Sequence, residues 1–205
     1  MTEGKVIGVI SNLIFIETDE TVTQNEICHI HSEGKELKAE VIRVKEKVAY
    51  AQLFESSQTI RMGSKAVFTG RMLEVELGPG ILSKRYDGLQ NDLTKMGGLF
   101  IDTGEVTAPL DDDVLFTFKP LVKEGSKVVA GDWLGSVQEN WIDHKIMVPL
   151  HLKDTYQVTF LAKTDDYKIN DTMAKLQSES GDQIEVTMTQ KWPVKLAMTG
   201  FKAKM

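Results

Sequence analysis

The strongest constraint on this chain is a Gly-Pro-Gly segment set between apolar residues: Leu77, Gly78, Pro79, Gly80, Ile81 and Leu82. Glycine adopts backbone torsions that strain other residues, and proline fixes its own φ and lacks an N–H donor. Because aliphatic side chains close both ends, we expect a sharply bent backbone pinned into an apolar surface. Alternating residues before the segment predict a strand, so we interpret it as a joint between a β module and a different module. The alternative is an ordinary surface Pro-Gly turn.

A short helix is predicted after this joint. Asp87-Gly88 is a turn signal, after which Leu89, Leu93 and Met96 recur at helical spacing until Gly97-Gly98 ends the run. Residues 71–110 are therefore interpreted as a linker that contains the joint and this helix.

The first 70 residues predict a small β-barrel. Short runs rich in β-branched residues are separated by polar turn residues, and they lie at 6–16, 27–31, 37–44, 48–54 and 66–69. So short a sheet would expose unpaired edges if it stayed open, which favours closure into a barrel of six strands. The uneven alternation in residues 38–44 predicts one solvated face and one packed face.

A second β-rich module is predicted over residues 111–190, after a first β run at 99–101. Turn-then-strand units recur at 123–128 and 130–135. Residues 173–176 fit either a short helix capped by Asp171 or another strand, of which we favour the strand. The adjacent Asp111, Asp112 and Asp113 predict a solvated turn, because a Ca²⁺ loop alternates its oxygen ligands around a glycine. The predicted fold is mainly β, with one short helix, and residues 191–205 leave the second module.

Composition excludes several classes of function. The 205 residues carry 24 Lys and Arg against 30 Asp and Glu, and a net charge of -6 argues against a nucleic-acid partner. The single cysteine, Cys28, cannot form an internal disulfide, and we interpret it as a small structural residue in a strand. The start of the chain does not resemble a signal peptide, and no apolar run approaches the ~20 residues of a membrane-spanning helix. We expect a soluble, cytoplasmic protein without direct membrane insertion.

Neither a catalytic nor a metal-binding residue is assigned. The four histidines, His29, His31, His144 and His151, do not show metal-ligand spacing with a carboxylate or cysteine, and His144 is expected in a turn. The surroundings of the serine, cysteine and lysine residues lack the base and orienting group that nucleophilic catalysis needs.

Three tryptophans are candidates for core packing or for partner contact. Trp133 follows a Gly-Asp turn and is predicted to fill the core. Trp141, in a predicted hairpin, is expected to be exposed and to contact a partner. Trp192, before Pro193, is expected to be left unusually bare near the end of the module.

Several of these segments, taken in order, resemble the amino-terminal part of the catalytic A subunits of V/A-type rotary ATPases. The similar segments are residues 4–7, 40–43, 51–56, 69–70, 73–82, 86–90, 144–149 and 190–195. The most specific are Glu-Leu-Gly-Pro-Gly-Ile-Leu followed by Asp-Gly, and His-Lys-Ile-Met-Val-Pro followed by Lys-Trp-Pro-Val. Residues 91–93 depart from the family, reading Asn-Asp-Leu where Arg-Pro-Leu is usual, which bears on how the predicted helix docks.

The resemblance implies a β-barrel of residues 1–70, then an insertion that bulges from the head of the ATPase, then a nucleotide-binding domain. It implies that the parent subunit binds Mg-ATP and couples its synthesis or hydrolysis to proton or sodium transport. Residues 1–205 contain no Gly-x-x-x-x-Gly-Lys-Ser/Thr loop. We therefore expect this chain to be non-catalytic by itself and to hold no cofactor.

The implied partners are the other A and B subunits of the head and the peripheral stalk, with the complex peripheral to the membrane. For the barrel, contact is predicted through residues 77–82 and through Glu40, Val41, Ile42 and Arg43. For the bulge module, it is predicted through Trp141, Ile142, Asp143 and His144, while Trp192 faces the exit.

An alternative function comes from a second, weaker resemblance. Residues 123–158 resemble a biotinyl/lipoyl-type hammerhead, which predicts a barrel-sandwich, lipoyl-like core for the bulge module. In carrier domains an exposed lysine on a hairpin tip receives the prosthetic group, and Lys145 lies near that position. The residues after Pro149 differ from the carrier pattern, and fold similarity without the site does not carry function.

Overall fold

The computed structural model describes residues 2–97, 102 and 104–197. These residues form sixteen β-strands and no helix. They divide into two compact units. The first comprises residues 2–75, 96–97, 102, 104–106 and 193–197, and the second comprises residues 76–95 and 107–192. The prediction of a mainly β fold is confirmed.

The first unit contains a closed six-stranded barrel with the order β1-β2-β5-β4-β3-β6. Its strands are β1 (Thr2–Ile10), β2 (Leu13–Glu17), β3 (Ile27–Ser32), β4 (Lys35–Lys45), β5 (Val48–Leu53) and β6 (Lys65–Phe68). The predicted run at 6–16 is in fact a hairpin, because Ser11 adopts a φ of 57° and reverses the chain. The barrel prediction is confirmed with six strands.

Alternate residues of the strands fill the barrel interior, as their two-residue period requires. The larger buried side chains are Val6, Ile14, Ile16, Ile30, Leu37, Val41 and Phe68. Cys28 lies among them and is fully buried, which confirms its structural reading. Burial raises the pKa of its thiol to about 12, with a smaller contribution from the charge of Glu26, so the thiol stays protonated and unreactive at neutral pH.

Strand β4 has one packed face over only part of its length. Leu37, Ala39 and Val41 are buried in alternation, but the register with β5 shifts between Val41 and Arg43. A β-bulge of this kind inserts a residue and bends the strand. Beyond it, Ile42 and Val44 are both partly exposed.

The prediction of a short helix after the joint is wrong. Tyr86 and Asp92 form an isolated antiparallel bridge, and Gln90 has a φ of 63°, which an α-helix cannot contain. The Asp87 carboxylate accepts the N–H groups of Leu89 and Asn91 at 2.9 and 2.8 Å. Side-chain acceptors of this type compete with helical hydrogen bonds, so a compact series of turns replaces the helix.

The second unit holds two four-stranded sheets, with the orders β11-β10-β8-β13 and β15-β14-β12-β9. Their strands are β8 (Leu115–Pro120), β9 (Lys127–Val128), β10 (Trp133–Glu139), β11 (Ile142–Met147), β12 (Tyr156–Leu161), β13 (Asp165–Lys168), β14 (Ala174–Ser178) and β15 (Gln183–Val186). The remaining strands, β7 (Glu74–Leu77) and β16 (Gln190–Pro193), pair with each other. One apolar core lies in this unit, built around Phe118, Leu134, Val137, Ile169, Met173 and Leu176.

Two predictions for this unit are confirmed. Residues 174–178 form a strand rather than a helix. The three aspartates form a turn in which the Asp111 carboxylate accepts the N–H of Asp113 at 3.1 Å, and Lys168 pairs with Asp113 at 2.8 Å. The predicted β run at 99–101 lies outside the described residues.

Substitution of Gly135 by alanine is expected to destabilise the second unit. A Cβ at Gly135 would lie 2.2 Å from the Phe118 ring and 2.8 Å from the carbonyl oxygen of Lys119, so the core cannot accept it without shifting. We expect a loss of about 1–3 kcal/mol, typical of overpacked cores, measured by urea unfolding. Gly88→Ala is the matched control, since a Cβ there meets open space. Equal stability of the two variants would contradict this packing.

Candidate partner-binding site

The β10–β11 hairpin presents the most exposed tryptophan that the structure describes. Asn140 adopts a φ of 51° and turns the chain, and the next residue, Trp141, is 81% exposed. Ile142 beside it is 41% exposed. The predicted exposure of Trp141 is confirmed, and its contact with a partner remains a prediction. Large aromatic side chains of this kind supply most of the binding energy in many interfaces.

The turn end of this hairpin is fixed by Glu139, whose side chain is 6% exposed. Its Oε1 accepts the N–H groups of Gly80 and Leu82 at 2.8 and 2.9 Å, and its Oε2 lies 2.7 Å from Nδ1 of His144. We call these four residues the Glu139 clasp. The clasp connects the Gly-Pro-Gly joint to the hairpin within the second unit. His144 belongs to strand β11 and not to a turn, which corrects its predicted position.

The joint is packed against the core of the second unit. Gly78 and Pro79 are buried, and a Cβ at Gly78 would lie 2.8 Å from Cγ2 of Thr189. Gly80 has a φ of +93°, a torsion that favours glycine. Ile81 packs against the same core. The expectation of a bent backbone pinned in an apolar surface is confirmed, and the alternative of an ordinary surface turn is excluded.

A second buried carboxylate organises the turns after the joint. Asp92 is fully buried, and its side chain accepts hydrogen bonds from the hydroxyl of Thr94 at 2.6 Å and from Lys84 at 2.9 Å. These bonds, that of Thr94 above all, outweigh burial and lower the pKa of Asp92 to about 2. The hydroxyl of Tyr86 donates to the carbonyl of Pro109 at 2.7 Å, and burial raises its pKa. Sequence reasoning missed this network, although Asp87, Asn91 and Asp92 are typical turn-forming residues.

Lys145 is not placed as the lysine of a carrier domain. It lies within β11, opposite Ser136, whereas Trp141 follows Asn140 at the hairpin turn. Its ammonium pairs with Asp143 and lies 5.3 Å from the centroid of the Trp133 ring. The hydrogen bond from Lys145, and next that from Ser136, lowers the pKa of Asp143.

The prediction that Trp133 fills the core is wrong. Trp133 is 38% exposed, and its neighbour Leu134 is fully buried instead. The register of β10 against β11 shifts between Trp133 and Gly135, so the strict alternation of faces is lost at this point.

The predicted contact strand of the barrel is only partly available to a partner. Val41 is fully buried and Glu40 is buried, whereas Ile42 is 39% exposed and Arg43 lies at the surface. Trp192 was predicted to be unusually bare, but it is half-buried. Contact through any of these residues remains a prediction.

The histidines of β3 pair with a carboxylate that sequence spacing did not reveal. Nδ1 of His29 lies 2.7 Å from Glu36, and Nδ1 of His31 lies 3.5 Å from it. Glu36 is directly opposite His31 in the β3–β4 ladder, so cross-strand register was the missing signal. Among residues 2–97, 102 and 104–197, no group of three His, Cys, Asp or Glu side chains is placed to hold a metal ion.

Surface cavities are present in both units. One of about 290 Å³ in the second unit has a mainly apolar wall and is lined by Leu77, His144, Lys145, Met147, Leu150, Thr187, Met188, Thr189 and Gln190. Another, of about 550 Å³ on the barrel, is lined by Glu3, Gly4, Lys5, Glu17, Thr18, Asp19, Lys47, Gly63 and Lys65. The first lies beside the Glu139 clasp and shares His144 with it.

Comparison with known proteins identifies the class to which this architecture belongs. Residues 6–70 match the model of the beta-barrel domain of the ATP synthase alpha/beta family, and residues 107–195 match that of the ATP synthase alpha/beta subunit barrel-sandwich domain. The chain is 40% identical over 207 residues to the V-type ATP synthase alpha chain of Borreliella afzelii (strain PKo), covering 100% of this chain and 36% of the relative. It is 42% identical over 205 residues to that of Borrelia turicatae (strain 91E135), covering 98% of this chain and 36% of the relative.

A barrel domain followed by a barrel-sandwich domain, with this identity along the chain, shows that the chain belongs to the ATP synthase alpha/beta family. Within this family, the chain corresponds to the N-terminal portion of the A subunit, the subunit that these relatives call the V-type ATP synthase alpha chain. It spans about 36% of the length of these curated relatives. Across the part of the chain that the structure describes, no helix is long and apolar enough to cross a membrane.

Substitution of Glu139 by leucine tests the clasp. Leucine leaves the N–H groups of Gly80 and Leu82 without their acceptor, so we expect a loss of about 2–4 kcal/mol by urea unfolding and faster hydrogen exchange in residues 78–82. Glu139→Gln is the matched control, since its carbonyl oxygen still accepts both N–H groups. The clasp is refuted if both variants exchange at the wild-type rate.

Proposed function

We propose that this chain is the assembly and stalk-contact portion of the catalytic A subunit of a V-type ATP synthase or ATPase. In this proposal the whole subunit couples ATP synthesis or hydrolysis to proton or sodium transport, in a cytoplasmic complex peripheral to the membrane. The observation that carries it is Trp141, which is 81% exposed at a hairpin turn whose flanking strand residues are held by the Glu139 clasp. Exposure together with fixed flanking residues suits a residue that anchors a partner.

The barrel is proposed to contact neighbouring A and B subunits in the head. A closed barrel leaves no free strand edge among its six strands, so contacts come from side chains and loops and not from added strands. Exposed aliphatic residues on β1 and β4 support this role, in particular Ile10, which is 65% exposed, and Ile42. Arg43, exposed next to Ile42 in β4, adds a polar group to this surface.

The second unit is proposed to contact the peripheral stalk through the hairpin. Trp141 and Ile142 form an apolar tip, while Asp143 and Lys145 below them are ion-paired to each other. An aromatic residue with adjacent polar groups is a common composition of interface centres and rims. Because the clasp already fixes the residues that flank the turn, binding would cost less conformational entropy than it would at a mobile loop.

We further propose that this chain alone does not bind Mg-ATP. The expectation follows from the lack of a Gly-x-x-x-x-Gly-Lys-Ser/Thr loop in residues 1–205. Isothermal titration of the chain with Mg-ATP is expected to give only the heat of dilution. Saturable heat with a micromolar dissociation constant would contradict the proposal.

Substitution of Trp141 by alanine tests the stalk contact. We expect the Trp141→Ala chain to bind the isolated peripheral stalk roughly 30-fold more weakly in a surface-binding titration, the effect of losing one interface anchor worth about 2 kcal/mol. Phe160→Ala is the control, because Phe160 is 40% exposed but belongs to the other sheet of the unit. Equal affinities for the two variants would place the contact elsewhere.

A further inference from the structure

The buried carboxylate of Glu40 in the barrel is paired with a residue 155 positions later in the chain. Nζ of Lys195 lies 2.5 Å from Oε1 of Glu40, whose side chain is only 10% exposed. The preceding residue, Val194, donates its N–H to the carbonyl of Leu73 at 2.8 Å. These contacts lie within the first unit, to which residues 193–197 belong. We call residues 193–197 the return segment.

This ion pair differs from the others that the structure describes in the first unit. The carboxylates paired with Lys47, Arg61 and Lys65 are 42–84% exposed, so those pairs add little stability. Glu40 is largely withdrawn from water, and removal of its partner would leave a buried charge uncompensated. The pair with Lys195 therefore decides whether the charge of Glu40 is tolerated in the barrel.

Glu40 also lies where β4 is least regular. The register shift begins after Val41, the next residue, and on its other edge the backbone of Val41 bonds to Asn25 and Glu26. Glu26 is itself buried, and its carboxylate accepts the N–H of Gly70 at 2.6 Å. Thus β4 contacts the residues before β3 at the bulge that follows Glu40, and those residues in turn hold the segment that leaves the barrel.

We propose that the return segment is a latch on the barrel, with Lys195 as the residue that neutralises Glu40 and holds β4 at its bulge. The barrel strands lie within residues 2–68, but the local stability of β4 depends on residues 193–197. Displacement of the return segment is transmitted to β4 through the ion pair of Lys195 with Glu40, while the hydrogen bond from Val194 to Leu73 holds the segment in the first unit. This latch does not depend on which partners the barrel contacts.

Hydrogen–deuterium exchange of the 205-residue chain tests the latch. In Lys195→Met, peptides covering residues 36–45 are expected to exchange about 5- to 30-fold faster than in the wild type. Lys191→Met is the matched control, since Lys191 is exposed in β16, and it is expected to leave β4 unchanged. Lys195→Arg, which keeps the charge, is expected to retain most of the protection.

The double variant Glu40→Gln with Lys195→Met separates charge compensation from packing. Without a charge at position 40, the loss of Lys195 should matter little, and exchange in β4 should return close to the wild-type rate. The latch is overturned if Lys195→Met behaves like Lys191→Met, or if the double variant exchanges as fast as Lys195→Met alone. If Lys195→Met does not fold, recovery of a folded barrel in the double variant supports the latch, and failure of both overturns it.

Discussion

Buried carboxylates that accept backbone N–H groups hold the irregular segments of this all-β chain. A β-sheet satisfies its own backbone, but the segments between sheets must find partners for their N–H groups elsewhere. Glu26 does this for Gly70, and Glu139 does it for Gly80 and Leu82. Each carboxylate would be costly to bury alone, and each N–H group would be costly to leave unpaired. Within each unit, a hydrogen bond between the carboxylate and the N–H group removes both costs, and it forms only when the segment adopts the backbone conformation seen in the structure.

This dependence explains why the joint tolerates so little change. Gly78 approaches Thr189 too closely for a side chain, and Gly80 needs a positive φ to direct its N–H at Glu139. Pro79 between them lacks an N–H and so leaves no donor unsatisfied when buried. The Gly-Pro-Gly sequence is thus a consequence of close approach and hydrogen-bond direction together.

Much of the fold could be predicted because alternation and turn residues dominate most of the chain. The barrel and the strand at 174–178 follow from two-residue periods that hold along most of their length and break at bulges such as that of β4. The helix prediction failed because Leu89, Leu93 and Met96 fit a helical period while Asp87 captured the N–H groups that the helix needed. Periodicity alone does not show which acceptor the backbone will use.

The candidate site was predicted where exposure depends on local sequence and missed where it depends on register. Trp141 follows a residue in the left-handed region at a hairpin turn, a position that leaves its side chain outside both sheets. Trp133 lies at a register shift, so its face could not be read from alternation. The backbone donors to Glu139 and the lysine partner of Glu40 were equally hidden, because they lie 57 to 59 and 155 residues away.

Fixed residues on both sides of the turn, together with an exposed tip, prepare the hairpin for binding in a way that neither feature would alone. A tryptophan on a mobile loop loses conformational freedom when it binds, and that loss subtracts from affinity. Here Glu139 lies two residues before Trp141 and is held by its hydrogen bonds to the joint. His144 lies three residues after Trp141 and contacts the same carboxylate. Only Asn140, Trp141, Ile142 and Asp143 separate the two anchors, so the tip has few torsions to restrict. The clasp therefore preorganises the apolar tip, at the cost of keeping one carboxylate buried among backbone N–H groups.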